Sequence, residues 1–166
     1  ALGAVIMPRT SNLIAEERMD EFKALVQKSY DFIFALAMPL MVGLIFTSPS
    51  AVLLLSGEGF VPAILTSQIV AFNILTVGLS GVMGIQVLYP LGKINIVILC
   101  TSIGAIINVF LNVLLIPRYG HNGTAVAYML AEMTVTVSMF FIGKRYIPIR
   151  FLKRQHLNMC LSLIHI

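Results

Sequence analysis

Apolar side chains fill this chain in long, nearly unbroken runs, without the alternation of a half-buried strand. Residues 32–57, 59–92 and 94–117 contain no Asp, Glu, Lys or Arg, and residues 119–143 contain one, Glu132. A helix needs about 20 mostly apolar residues to cross the hydrocarbon of a bilayer. The runs therefore predict four spanning helices, at residues 32–46, 63–88, 95–116 and 123–143. A closed barrel is excluded on the same ground, because its strands would alternate lipid-facing and lumen-facing positions. The first helix is the shortest. Ser48-Pro49-Ser50 interrupts its run before residues 51–55, so its outer end is expected to bend or re-enter the interface.

Residues 16–29 differ in kind. Glu16, Glu17, Arg18, Asp20, Glu21, Lys23 and Lys28 are interleaved with Phe22, Leu25, Val26 and Ser29 at helical spacing. The pattern predicts an amphipathic helix on the membrane surface that runs into the first span at Tyr30. The plainer reading, which is favoured, is a connector that sets the angle of the next helix.

Composition narrows the class. The chain is 58% hydrophobic and 11% charged, with a mean hydropathy of +0.96. A soluble domain carries about 25% charged residues, so this one cannot cover a water-facing surface. Cys100 and Cys160 supply neither a disulfide framework nor metal-site spacing. The net charge of +4 reads as topology. Of the eleven Lys and Arg, all but Arg118 fall in alternate connecting segments. The positive-inside rule puts those segments in the cytoplasm, against anionic membrane lipids, and leaves no basic face for nucleic acid. Tyr30, Tyr89, Tyr119 and Tyr146 sit at span ends, where an amphipathic ring prefers the headgroup level.

The expected fold is an all-α polytopic membrane helical bundle. Residues 1–8 read as the end of a truncated transmembrane helix and 9–31 as a cytoplasmic connector. Residues 32–143 are the four-helix transmembrane part, 144–160 a basic cytoplasmic tail, and 161–166 a truncated or artefactual end.

Enzymatic signatures are missing from the sequence. The three histidines, His121, His156 and His165, have no ligand spacing, and no nucleophile–base set or phosphate-binding loop can be assembled. Polar groups inside spans carry the candidate chemistry instead. Glu132, in the middle of the fourth span, is costly in hydrocarbon and should face protein or water. It is either a coupling or gating carboxylate or a polar interhelical contact. Asn108 and Asn112, four residues apart, share one helix face and either cement helices or line a cavity. Gln86 and Asn73 leave the same choice open. Gly78, Gly81 and Gly84, and Ala127 with Ala131, permit close helix approach. Pro39 removes a backbone bond within the first span and is a hinge candidate.

Six segments, in order, resemble polysaccharide flippases of the multidrug/oligosaccharidyl-lipid/polysaccharide exporter superfamily. They are Met7-Pro8-Arg9-Thr10-Ser11-Asn12-Leu13-Ile14-Ala15-Glu16, Pro39-Leu40-Met41-Val42-Gly43-Leu44, and Gly57-Glu58-Gly59-Phe60-Val61-Pro62-Ala63. Next come Gly84-Ile85-Gln86-Val87-Leu88-Tyr89-Pro90-Leu91-Gly92-Lys93, and Asn108-Val109-Phe110-Leu111-Asn112 with the following Leu115-Ile116-Pro117-Arg118-Tyr119-Gly120. Gly123-Thr124-Ala125-Val126-Ala127 with Ala131-Glu132 completes the set.

The resemblance implies the C-terminal lobe of a MATE-like transporter of 12–14 helices, whose N-terminal lobe is missing here. The whole protein would flip a polyprenyl-pyrophosphate-linked oligosaccharide across the cytoplasmic membrane for polysaccharide biosynthesis, with H+ or Na+ coupling possible and no cofactor. Polymerase and glycosyltransferases would be its partners. Gln86, Asn108, Asn112 and Glu132 are then the substrate-cavity candidates, and Arg9 and Lys93 the cations at its mouth. A lipid II flippase, a cation-coupled multidrug exporter of the same superfamily and a non-transporting scaffold of a polymer-synthesis complex are the competing readings.

Overall fold

The computed structural model describes residues 2–146. The basic tail beyond 146 and the expected artefactual end at 161–166 lie outside the described residues. Every long element is helical: α1 (Leu2–Ala15), α2 (Met19–Ser56), α3 (Ala63–Gly81), a π-helical continuation of α3 (Val82–Leu88) and α4 (Ile94–Gly143). No strand occurs among the described residues. Three of these helices, α2, α3 with its π continuation, and α4, are long and apolar enough to cross a membrane.

The first helix runs on past Pro8 to Ala15, further than the eight residues expected. The hydroxyls of Thr10 and Ser11 donate to the Met7 carbonyl at 2.8 and 3.0 Å. The chain then turns at Glu16–Arg18, so the expected amphipathic helix begins at Met19 and not at Glu16. Glu17 adopts φ 58°. Around it the Arg18 N–H bonds the Leu13 carbonyl at 2.9 Å and the Glu17 N–H bonds that of Ile14 at 3.1 Å. That pair of bonds is a Schellman stop, in which the left-handed residue is usually glycine.

No break separates the connector from the first span: α2 is one helix of 38 residues. At 1.5 Å per residue it is about 57 Å long, against a hydrocarbon core of about 30 Å, so its charged first turns project beyond the core. Phe22, Val26, Ser29, Tyr30, Ala37, Met41 and Ser48 are buried along it, at helical spacing.

The helix is not interrupted at Ser48-Pro49-Ser50. The helix passes through Pro49 to Ser56 because the carbonyl that proline strands is satisfied from elsewhere. Pro49 lacks the N–H that would bond Ile45, and Gln68 of α3 donates its Nε2 to that same carbonyl at 3.1 Å. Ser48 Oγ bonds back to the Leu44 carbonyl and Thr47 Oγ1 to that of Gly43.

The third apolar element is not one rod. Gly120 interrupts α4 with φ 55° and ψ −131°. A side chain at Gly104 would meet Val135 Cγ2 at 2.2 Å and the Ala131 carbonyl at 3.5 Å. In a straight helix Gly104 and Val135 would lie roughly 46 Å apart. The two arms, residues 94–119 and 121–143, therefore fold back on each other. Gly123 is held against the Leu115 carbonyl, where a Cβ would sit at 2.6 Å. The hairpin tip is tied to α3, with Thr66 Oγ1 donating to Asn122 Oδ1 at 2.6 Å and His121 Nε2 lying 3.3 Å from the Pro62 carbonyl.

At the opposite end the π segment joins the packing. Tyr89 N–H reaches the Gly84 carbonyl at 2.9 Å, five residues back. Val82, Met83 and Val87 meet Leu13 of α1, Phe22, Val26 and Tyr30 of α2, and Cys100, Val135 and Met139 of α4 in one core. The glycine stripe of α3 works partly as expected. Gly78 lies against Ile33 of α2 and Gly84 against Met139, whereas Gly81 has open space beside it.

Candidate functional site

Three helical walls, α3 and the two arms of α4, enclose a groove of about 580 Å³. Its shape follows from small residues. Gly81 and Gly84 on α3, Gly104 and Ala105 on the first arm and Ala131 on the second line it, leaving space where larger side chains would close it. Gly104 and Ala131 also let the arms approach closely.

The groove is mainly apolar but carries five polar side chains, Ser80, Thr101, Asn108, Tyr128 and Glu132. Ser80 and Thr101 bond back to carbonyls of their own helices. Among the described residues Glu132 is the only charged side chain in the lining, and it is half-buried. Its main-chain carbonyl accepts from Thr136 Oγ1 at 2.8 Å, and Thr136 also donates to the Thr76 carbonyl of α3 at 3.0 Å. The backbone beneath Glu132 is thus fixed to α3, while its carboxylate has no hydrogen-bond or ion-pair partner among the described residues.

Two of the four cavity candidates, Asn108 and Glu132, lie in this groove, on facing arms. Asn112 lines the adjoining concavity of about 350 Å³, which shares Val109 with the groove. It is joined to Asn108, donating from Nδ2 to both the main-chain carbonyl and Oδ1 at 2.9 Å. Its own Oδ1 is buried without a partner. Gln86 is placed elsewhere. It is 1% exposed inside the π segment, with an unpaired Oε1, while its neighbour Ile85 faces the groove.

Arg9 and Lys93 are exposed and do not line the groove; Lys93 Nζ stands 5.6 Å from the centre of the Tyr146 ring. Pro39 is exposed on α2, which continues through it without interruption. Asn73, left open above, is buried on α3 with an unpaired Nδ2.

Sequence reasoning missed Ser80, Thr101 and Tyr128. Two signals were available. Thr101, Gly104, Ala105 and Asn108 repeat at helical spacing, and Tyr128 is the one tyrosine far from a span end, one turn before Glu132.

Residues 1–165 match the family model described as lipid II flippase MurJ. The chain belongs to the lipid II flippase MurJ family. An uncharacterized membrane protein of Methanocaldococcus jannaschii is 22% identical over 155 residues, covering 93% of this chain. The chain spans about 30% of the length of that curated relative. No solved structure matches it significantly. Membership in the MurJ family, together with three helices long and apolar enough to cross a membrane, makes this a multi-pass membrane protein of a flippase family. It also lies within the superfamily that the six sequence segments indicated.

Proposed function

We propose that the intact protein flips a polyprenyl-pyrophosphate-linked saccharide between leaflets, and that its substrate is lipid II. The MurJ family match along nearly the whole chain carries this reading. The groove supports it: an amphipathic path for a sugar headgroup needs scattered acceptors and donors in an otherwise apolar channel, as Asn108, Tyr128 and Glu132 provide. Residues 32–143 then cross the membrane four times, with the hairpin tip at Gly120 outside. Coupling to H+ or Na+ would act through Glu132, the carboxylate of the groove.

Export of a polymer repeat unit rests on the resemblance of the six segments, residues 7–16 among them. In the structure Thr10 is fully buried and Leu13 joins the core. Those residues serve packing, so their resemblance marks the fold more than the substrate. The cations that hold the pyrophosphate would come from the rest of the protein or from Arg9 and Lys93.

Full-length protein in liposomes, with fluorescent lipid II and a lipid-linked polymer repeat unit as parallel substrates, tests the proposal. Lipid II is expected to cross faster than in empty vesicles. Glu132→Ala and Asn108→Ala are expected to slow it about tenfold or more, the effect of losing a hydrogen bond to a charged group. Background rates with lipid II overturn the substrate, and wild-type rates in both variants overturn the groove.

A further inference from the structure

A second groove lies on the other side of the second arm of α4, and nothing in the transport reading uses it. It holds about 460 Å³ and is lined by Tyr30 of α2, Leu79 of α3, and Thr136, Val137, Phe140, Phe141 and Lys144 of α4. Such a volume is ordinary for a small-ligand site. We propose that this groove binds one acyl chain of an anionic glycerophospholipid of the cytoplasmic leaflet, with Lys144 holding the phosphate.

The dimensions point to a single leaflet. Lys144 follows the apolar run of the second arm directly, and Tyr30 with Asp31 precedes that of α2, so both mark one edge of the hydrocarbon. From Lys144 to Thr136 the groove extends eight residues along the helix, about 12 Å. One leaflet supplies about 15 Å, half of a 30 Å core. The groove therefore starts at headgroup level and ends near the bilayer midplane.

Its chemistry is equally directional. Apart from Thr136, apolar side chains line the depth, and among the described residues the only charge in the lining is the cation at the mouth. Lys144 is exposed, has no acidic partner among the described residues, and places Nζ 4.6 Å from the centre of the Phe141 ring. That contact holds the ammonium over a ring that lines the groove. Arg145 follows it in the chain. Asp31, the acid beside Tyr30, does not line the groove and accepts from Gln27 Nε2 at 2.8 Å. A zwitterionic headgroup offsets its phosphate with its own ammonium and gains less from the cation than a net-anionic headgroup, the charged component of the cytoplasmic leaflet.

Native mass spectrometry of the full-length protein in detergent, titrated with phosphatidylglycerol or phosphatidylethanolamine, tests this. Wild type is expected to retain phosphatidylglycerol preferentially. Lys144→Ala is expected to weaken that binding about fivefold, the effect of one basic residue near the surface, and to weaken phosphatidylethanolamine binding less. Val137→Trp, which fills the groove from a half-exposed position, should reduce both lipids. Lys28→Ala removes a cation on the same side away from the groove and should change neither. Equal retention of the two lipids by wild type overturns the proposal. So does a Lys28→Ala loss equal to that of Lys144→Ala, or full binding by Val137→Trp.

Discussion

At the scale of single residues, the structure repeatedly answers a backbone group that the sequence leaves bare. Pro49 strands the Ile45 carbonyl inside α2, and Gln68, nineteen residues further on, donates to it at 3.1 Å. In an apolar surrounding an unsatisfied carbonyl costs about 1–3 kcal/mol, so Gln68→Ala is expected to destabilise the full-length protein by that amount. Pro49→Ala returns an N–H to the helix ladder. In the Pro49→Ala background, Gln68→Ala should therefore cost much less. Thermal unfolding of the four proteins in detergent measures this coupling, and an equal cost in both backgrounds would remove the account. The proline was legible as a helix breaker from the sequence. Its remedy was not, because the partner sits on another helix and only the fold sets the two together. Gln86 failed to be read for a related reason. An α-helix puts it at a face shared with Met83 and Tyr89, but the π segment inserts a longer turn, buries it and turns Ile85 to the groove instead.

Elements end where a left-handed residue stops them, and two such stops differ in one informative way. After the π segment, Gly92 at φ 70° holds the bonds from Lys93 to Leu88 at 2.8 Å and from itself to Tyr89 at 3.0 Å. After α1 the same geometry is built on Glu17 at φ 58°. A residue with a Cβ pays about 1–2 kcal/mol for that conformation, and glycine does not. Glu17→Gly is expected to raise the stability of the full-length protein by about 1 kcal/mol, and Gly92→Ala to lower it by a similar amount, both read by thermal unfolding. No gain from Glu17→Gly would mean that the Glu17 side chain contributes to the turn. The absence of glycine explains why the break at 16–18 was invisible in the sequence, and why 16–29 read as one helix. The hairpin at Gly120 was legible, since Pro117, Gly120 and Gly123 cluster between two apolar runs. What the runs did not show was how little loop is needed: one non-helical residue reverses the chain.

On the scale of the whole molecule, the turns sort into two ends. Residues 57–62 and the tip at Gly120 meet through His121 with Pro62 and Asn122 with Thr66. Residues 89–93 and 144–146 meet at the other through Lys93 and Tyr146. The charge distribution, read before any fold, predicts a cytoplasmic placement for the second end, because the Lys- and Arg-rich segments of the sequence alternate with segments that nearly lack them. Charge and packing are independent observations that divide the chain at the same places, and together they predict accessibility. In a full-length protein freed of its native cysteines, Glu58→Cys and His121→Cys should react with a membrane-impermeant maleimide added to intact cells. Lys93→Cys and Lys144→Cys should react only after permeabilisation. Labelling of the first pair alone from outside requires an even number of crossings between residues 58 and 121, which two helices, α3 and the first arm of α4, supply. If Gly120 merely kinked a single spanning rod, α4 would cross once between Lys93 and Lys144 and the two lysine positions would label from opposite sides. Equal protection of both lysine positions therefore supports the reversal as well as the orientation, and split labelling would refute it.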